Sequence, residues 1–192
     1  DPVVQVLSRD QRSSQILTVD PATGATRVLR ELADPAWVEL SATPRLTPDG
    51  RLVSVEDVAG HRRVLVDGEP ISPDPWQVRG VVAVLADCVV ATASAEPTEI
   101  QVVRFGLDGT TTEVTQGAAV HGAVMRAGTT VISRSGLDAV GTTVTVHRDG
   151  TTPRLLDVVA EPAPFEPDVH LIRGGEHDLS IAVLLPRDRP RQ

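Results

Sequence analysis

The chain of 192 residues has room for one ordinary domain, and for two at most. Apolar residues make up 41% and charged residues 23%, which allows a packed core and excludes a disordered chain. With 18 cationic and 26 acidic side chains the formal net charge is −8, so the chain would repel a phosphate backbone and we expect no nucleic-acid partner.

Short runs rich in Val, Thr and Ile follow one another along the chain, and no long window shows helical periodicity. Such residues fit the pleated surface of a sheet, and Gly and Pro, 15 of each, separate the runs. The pattern predicts an all-β chain, with strands near positions 3–7, 15–19, 52–55, 100–103, 129–132 and 144–146.

An internal repeat underlies these runs, because Asp-Gly pairs begin at positions 67, 108 and 149, which are 41 residues apart. A turn at 20–24 occupies the corresponding place one unit earlier, and a second set of turns lies midway through the units, at 48–50, 86–87 and 127–128. The spacing of these turns therefore predicts that each unit contains four antiparallel strands joined by three turns.

A four-stranded unit of about 40–45 residues is typical of a β-propeller blade, since one such sheet has two faces to bury and must stack on the next. We predict a partial β-propeller of about three and a half blades over 1–160, with blades near 1–32, 43–73, 77–117 and 119–159. A β-sandwich of similar hairpins is the alternative. An open arc would bare an apolar face at each end, so we also expect self-association.

The composition changes after residue 160. A Pro-rich connector is predicted at 161–167, a hairpin at 168–186, and a polar, Arg-rich tail at 187–192. The hairpin is typical of the opening of a further domain rather than of another blade.

Several stretches resemble the later propeller blades of dipeptidyl peptidase IV-like enzymes, in the prolyl oligopeptidase family of serine peptidases. These stretches are 37–40, 44–52, 56–57, 60–63, 92–99 and 144–150, and 179–186 is similar to the strand that leads into the α/β-hydrolase domain of that family. The resemblance covers nearly the whole chain. It implies that peptide substrates and a hydrolase domain of the same polypeptide are partners, and that the propeller gates access to the hydrolase site.

The resemblance implies no site residue in this chain. The family's nucleophile lies in a G-x-S-x-G turn of the hydrolase domain, and that motif does not occur here. Beside Trp37 the chain has Glu39 and Leu40, where better-studied members carry Arg and aromatic residues, so no substrate contact transfers. We therefore predict no catalytic, substrate-binding or metal-binding residue and no cofactor, and a chain that is inactive by itself.

The remaining candidates have simpler interpretations. Five histidines lack the carboxylate pairing that a metal site favours, so we expect solvated or packed imidazoles at 61, 121, 147, 170 and 177. Cys88, the only cysteine, lacks a nearby cation in the sequence and is predicted to be a buried apolar side chain rather than a nucleophile. Trp37 and Trp76 are predicted anchors between blades. Arg62 and Arg63 are predicted to pair across strands with 56–57.

The alternative function is a stand-alone propeller or sandwich that binds a protein partner. The chain starts at Asp1, which suggests a part of something longer, and no stretch approaches the ~18 apolar residues of a membrane span, so we expect no membrane partner. No signal peptide is visible, and we expect a cytoplasmic location.

Overall fold

The structure, a computed structural model, describes residues 2–40, 44–157, 159, 161 and 167–186. These residues form strands and turns and contain no helix, and hence no helix that could span a membrane. The chain divides into two compact units, the first made of 1–95 and 102–114 and the second of 96–101 and 115–192.

The first unit contains three antiparallel sheets whose strands follow one another in chain order. The first sheet is β1 (Val3–Leu7), β2 (Ser13–Val19) and β3 (Thr26–Ala33). The second is β4 (Arg45–Leu46), β5 (Leu52–Val58), β6 (His61–Val66) and β7 (Glu69–Pro70). The third is β8 (Gln77–Val84), β9 (Cys88–Ser94), β10 (Gln101–Gly106) and β11 (Thr111–Glu113).

The second unit contains one further four-stranded sheet and a hairpin. The sheet is β12 (Ala119–Arg126), β13 (Thr129–Gly136), β14 (Thr142–Arg148) and β15 (Arg154–Leu155), and the hairpin is β16 (Pro167–Gly174) and β17 (Leu179–Pro186). The predicted connector lies outside the described residues except at its two end positions, and the predicted tail lies entirely outside them.

The repeat corresponds to fixed turns of the sheets. The Asp-Gly pairs at 67, 108 and 149 join the third strand to the fourth, and the turns at 48–50, 86–87 and 127–128 join the first strand to the second. The turn at 20–24 joins β2 to β3, so the first sheet matches the second, third and fourth strands of the other sheets. The four-stranded unit predicted from the spacing is confirmed.

The Asp67-Gly68 turn is a tight two-residue connection between β6 and β7. Both residues have positive φ, 49° and 87°, which are the conformations that a two-residue hairpin turn demands. The Asp67 carboxylate also accepts the Leu52 backbone N–H at 2.8 Å, which ties the turn to the start of β5. An added Cβ at Gly68 would lie 2.9 Å from Nη1 of Arg30, so a larger residue there would displace the end of the Arg30 side chain.

The core of the first unit lies between the second and third sheets. It is built from short aliphatic side chains around one aromatic pair, Trp76 and Phe105, whose ring centroids are 6.5 Å apart with an interplanar angle of 71°. The other buried members are Val53, Val55, Val64, Val66, Val78, Val89, Ala91, Ala93 and Val103. Because β5, β9 and β10 are buried along nearly their whole length, these strands have covered side chains on both faces, as stacked blades require.

Turn carboxylates make the stability of the fold sensitive to acid. The pKa of Asp108 lies below its ordinary value of 3.8, first because the Thr110 hydroxyl donates to the carboxylate at 2.7 Å and then because the Thr110 backbone N–H does so at 3.0 Å. The pKa of Asp20 is lowered in the same way, first by the Thr23 hydroxyl and then by the Ala22 N–H.

We therefore expect stability to fall at low pH. A carboxyl whose pKa is depressed on folding stabilises the fold fully above its unfolded pKa, and this contribution is lost as pH falls through the lower folded pKa. The urea midpoint should drop between about pH 5 and about pH 2, and Asp108→Asn should reduce that drop because one titrating group is removed. An equal drop in the variant would contradict this origin.

Candidate functional site

The first strand of each four-stranded sheet is an edge strand, and in a propeller this strand borders the central channel. In the first unit these strands are β4 and β8, and in the second unit the corresponding strand is β12. A site that acts on molecules passing through a channel would therefore be built on these strands.

Strand β8 carries two β-bulges. Val78 pairs with Ala93 and Gly80 with Thr92, so Arg79 is an extra residue; Val82 is extra in the same way two residues further on. Bulges twist a strand locally and re-aim side chains, and they are common at rims and next to functional sites. The sequence signal that could have predicted the first bulge is Gly80, an isolated glycine inside the strand.

Two arginine side chains lie at this bulged edge, Arg79 from β8 itself and Arg45 from the neighbouring strand β4. Arg45 of β4 lies opposite the core residue Val53, and its Nη1 donates to the Val82 carbonyl oxygen at 3.1 Å, so it links β4 to β8. Nε of Arg79 donates to the Ser94 hydroxyl oxygen at 3.2 Å. Both side chains are exposed, and a guanidinium has five N–H donors, which leaves capacity to bind a carboxylate or a peptide carbonyl.

A second charged group, Arg30 with Glu56, lies between the first and second sheets. Nε and Nη2 of Arg30 donate to the two oxygens of Glu56 at 3.2 and 2.7 Å, and the Ser54 hydroxyl donates to Oε1 at 2.7 Å. The Glu56 side chain is only 7% exposed and that of Arg30 is 36% exposed. The pKa of Arg30 is raised, chiefly by its hydrogen bond to Glu56.

Of the predicted charge pairs between Arg62, Arg63 and the acidic residues 56–57, one is present and one is not. Arg62 lies opposite Asp57 and approaches it to 3.5 Å, as predicted. Arg63 lies opposite Glu56 but pairs with Asp74 instead, and donates to the Ser72 carbonyl oxygen at 2.9 Å. The reason is that Glu56 reaches another sheet, where Arg30 binds both of its oxygens.

Cys88 is buried at the start of β9, as predicted. The expectation that no cation lies nearby is wrong, because Arg104 of β10 interacts with the thiol across the sheet. Burial nevertheless dominates and raises the pKa of Cys88, while Arg104 lowers it by a smaller amount. A buried thiol with a raised pKa is a poor nucleophile, which agrees with the interpretation as a packing residue.

The two tryptophans differ. Trp76 is buried against Phe105, so its assignment as an anchor between sheets is confirmed. The same prediction for Trp37 is wrong, because its side chain is 61% exposed. The Asp34 carboxylate accepts the N–H groups of Ala36 and Trp37 at 2.7 and 2.9 Å, and this cap fixes the loop so that Val38, rather than Trp37, points inward.

The histidines do not converge. His121 is buried, and its Nδ1 lies 3.0 Å from the carbonyl oxygen of Ile100; His61 contacts the Gln77 amide. Two histidines do have a carboxylate partner, contrary to the expectation from sequence: His170 lies 3.1 Å from Asp168 and His61 lies 3.6 Å from Asp74. In the part of the chain that the structure describes, no group of three or more His, Cys, Asp or Glu could hold a metal ion.

The hairpin β16–β17 exposes large apolar side chains on both faces. The register places Leu171 and Leu184 on one face and Ile172 and Ile181 on the other, and all four are exposed. A two-stranded hairpin is marginal by itself, and strands that are apolar on both faces are typical of sheets covered on both sides.

No family model and no curated protein matches the chain. Among solved structures the chain is similar to dipeptidyl peptidase 4 from Porphyromonas gingivalis, at 17% identity and a TM-score of 0.74, covering 95% of this chain and 29% of that one. It is similar to a dipeptidyl aminopeptidase IV candidate from Bacteroides ovatus, at 14% identity and a TM-score of 0.76, covering 98% and 32%.

A third similar structure comes from a study of two prolyl endopeptidases, at 13% identity and a TM-score of 0.61, covering 97% of this chain and 31% of that one. The chain thus spans about a third of the length of these proteins. At these identities the likeness establishes the fold, and the predicted all-β partial propeller is confirmed.

Proposed function

We propose that the chain is the non-catalytic propeller part of a dipeptidyl peptidase IV-like serine peptidase of the prolyl oligopeptidase family. The observation that carries the proposal is the likeness in fold, over 95–98% of this chain, to about a third of each of three such peptidase structures. The repeated turns, which join the strands of four-stranded sheets, agree with the propeller part of this proposal.

The hairpin supports the same proposal. Its two apolar faces require covering layers, and a mixed or parallel sheet with helices on both sides, such as that of an α/β-hydrolase, provides them. We infer that β16–β17 opens a hydrolase domain of the same polypeptide. That domain would supply the Ser, His and Asp groups of the reaction.

In this proposal the propeller gates substrate access. The inner strands β4 and β8 would border the path of a peptide toward the hydrolase site, and Arg45 and Arg79 would give that border a positive charge within a chain of net charge −8. Such a border would admit short or unstructured peptides and favour those that carry carboxylates.

The first experiment tests the peptidase assignment. A chromogenic Xaa-Pro dipeptide reporter should be hydrolysed by the longer protein that carries this chain with a hydrolase domain, and a serine-reactive inhibitor should abolish that hydrolysis. The 192-residue chain alone should be inactive. Activity of the chain alone, or a reading frame without a strand–G-x-S-x-G–helix segment after these residues, would favour the stand-alone interaction module instead.

The second experiment tests gating in the longer protein. Arg79→Trp enlarges an exposed side chain on the inner strand β8, and Thr112→Trp does the same on the outer strand β11. We expect Arg79→Trp to lower kcat/KM for longer peptides while leaving that for the dipeptide reporter near its original value. Thr112→Trp should change neither, and equal effects of the two variants would contradict a role of the inner edge.

A further inference from the structure

The segment 96–101 connects β9 to Gln101, the first residue of β10, and near this end it is hydrogen-bonded to β12. The backbone N–H of Ile100 donates to the Ala119 carbonyl oxygen at 3.1 Å, and the N–H of His121 donates to the Ile100 carbonyl oxygen at 2.8 Å. Nδ1 of the buried His121 is 3.0 Å from the same oxygen, and because a carbonyl only accepts, Nδ1 carries the hydrogen. Ile100 is thereby fixed beside β12 in a parallel bridge.

At its other end the segment is attached to the hairpin. Nη2 of Arg173, in β16, donates to Oε2 of Glu96 at 2.9 Å, although 77 residues separate the two. Nη1 of the same guanidinium donates to the Asp178 carbonyl oxygen at 3.3 Å and lies 3.6 Å from the Asp178 carboxylate. Arg173 is therefore held by the turn of its own hairpin while it reaches Glu96.

The hairpin depends on such an attachment. Its large apolar residues are exposed on both faces, and two strands alone are marginally stable in water. In the described residues, Arg173–Glu96 is the ion pair that joins the hairpin to the preceding part of the chain.

We propose that the segment 96–101 is a strap: it holds the hairpin beside the sheet β12–β15 through the ion pair between Arg173 and Glu96. The strap is a property of this chain. Its consequence for the peptidase rests on the proposed function: breaking the Arg173–Glu96 ion pair would loosen the hairpin β16–β17, which leads into the hydrolase domain.

Amide hydrogen exchange on the 192-residue chain tests the strap. In Arg173→Gln and in Glu96→Gln the hairpin amides should exchange about two- to fivefold faster than in the original chain, which is the range that an exposed ion pair supports. The exchanged pair, Glu96→Arg with Arg173→Glu, should restore slow exchange when it is combined with Asp178→Asn, which removes the like charge that would otherwise lie beside position 173. Arg154→Gln, on the exposed strand β15, is the matched control and should leave hairpin exchange unchanged.

Salt gives a second readout, because ions screen exposed charges over about 10 Å at 0.1 M and about 3 Å at 1 M. Raising the salt concentration over this range should speed hairpin exchange in the original chain and much less in Arg173→Gln. Hairpin amides that are unprotected in the original chain, unaffected by either substitution, or not restored by the exchanged pair would each overturn the strap. Any of these results would leave the peptidase assignment intact, since reporter hydrolysis is measured separately.

Discussion

Phe105→Ala should destabilise the first unit by about 3–5 kcal/mol, the usual cost of emptying a buried phenylalanine site. Phe105 has no solvent exposure, and its ring meets Trp76 edge to face at a centroid distance of 6.5 Å. The surrounding side chains are Val and Ala, which are too short to close over the space left behind. Against a total stability of about 5–15 kcal/mol, this loss is large.

The measurement is the free energy of unfolding from urea titration, with Trp37→Ala as the matched control. Unlike the buried Phe105, Trp37 is 61% exposed. Its truncation to alanine should lower the free energy of unfolding by no more than about 0.5 kcal/mol. If Phe105→Ala does not fold, Phe105→Leu should still show a reduced urea midpoint. Equal costs at the two aromatic positions would contradict the placement of the core between the second and third sheets.

Glu56→Ala should cost about 2–3 kcal/mol. Removing one partner of a buried ion pair typically costs about 3–5 kcal/mol because the other charge is left without compensation. The Arg30 side chain is 36% exposed, so water would solvate it partly and reduce that cost. The Ser54 hydroxyl would also lose the acceptor that it now has at 2.7 Å.

A double variant separates the ion pair from simple packing. Arg30→Met with Glu56→Leu replaces both charges by apolar groups of similar length, and its stability should be closer to that of the original chain than the sum of the single substitutions predicts. Arg51→Gln, which breaks an exposed pair with Asp49, should have a much smaller effect on the urea midpoint than Glu56→Ala. Strict additivity of the two substitutions would show that Arg30 and Glu56 are not coupled.

Local chemistry made the architecture predictable from sequence. The glycines of the three repeated Asp-Gly pairs all have positive φ, 87° at Gly68, 87° at Gly109 and 72° at Gly150, as tight turns require, so their 41-residue spacing reports the length of the repeated sheet. The turn at Ala59-Gly60, where Ala59 has φ 51°, was not predicted, because it joins the second strand to the third and lies outside both series of repeated turns.

The contacts between sheets could not be predicted in this way. Arg30 and Glu56 are 26 residues apart and meet only because two sheets stack, whereas the sequence predicted only cross-strand pairing of 56–57 with Arg62 and Arg63. The bulge at Val82 has no glycine beside it, whereas the bulge at Arg79 lies next to Gly80, an isolated glycine inside the strand that is typical of bulges. The exposure of Trp37 depends on the Asp34 cap, a loop feature that composition does not reveal.

The irregular register of β8 also determines what this edge cannot do. A regular edge strand offers its backbone donors and acceptors in an even ladder, and an extended peptide can add to it as one more strand. Between Val78 and Ala83 that ladder changes phase twice, and Arg45 already occupies the Val82 carbonyl. An extended peptide would therefore find no continuous ladder of backbone donors and acceptors on β8, and strand addition at this edge is disfavoured.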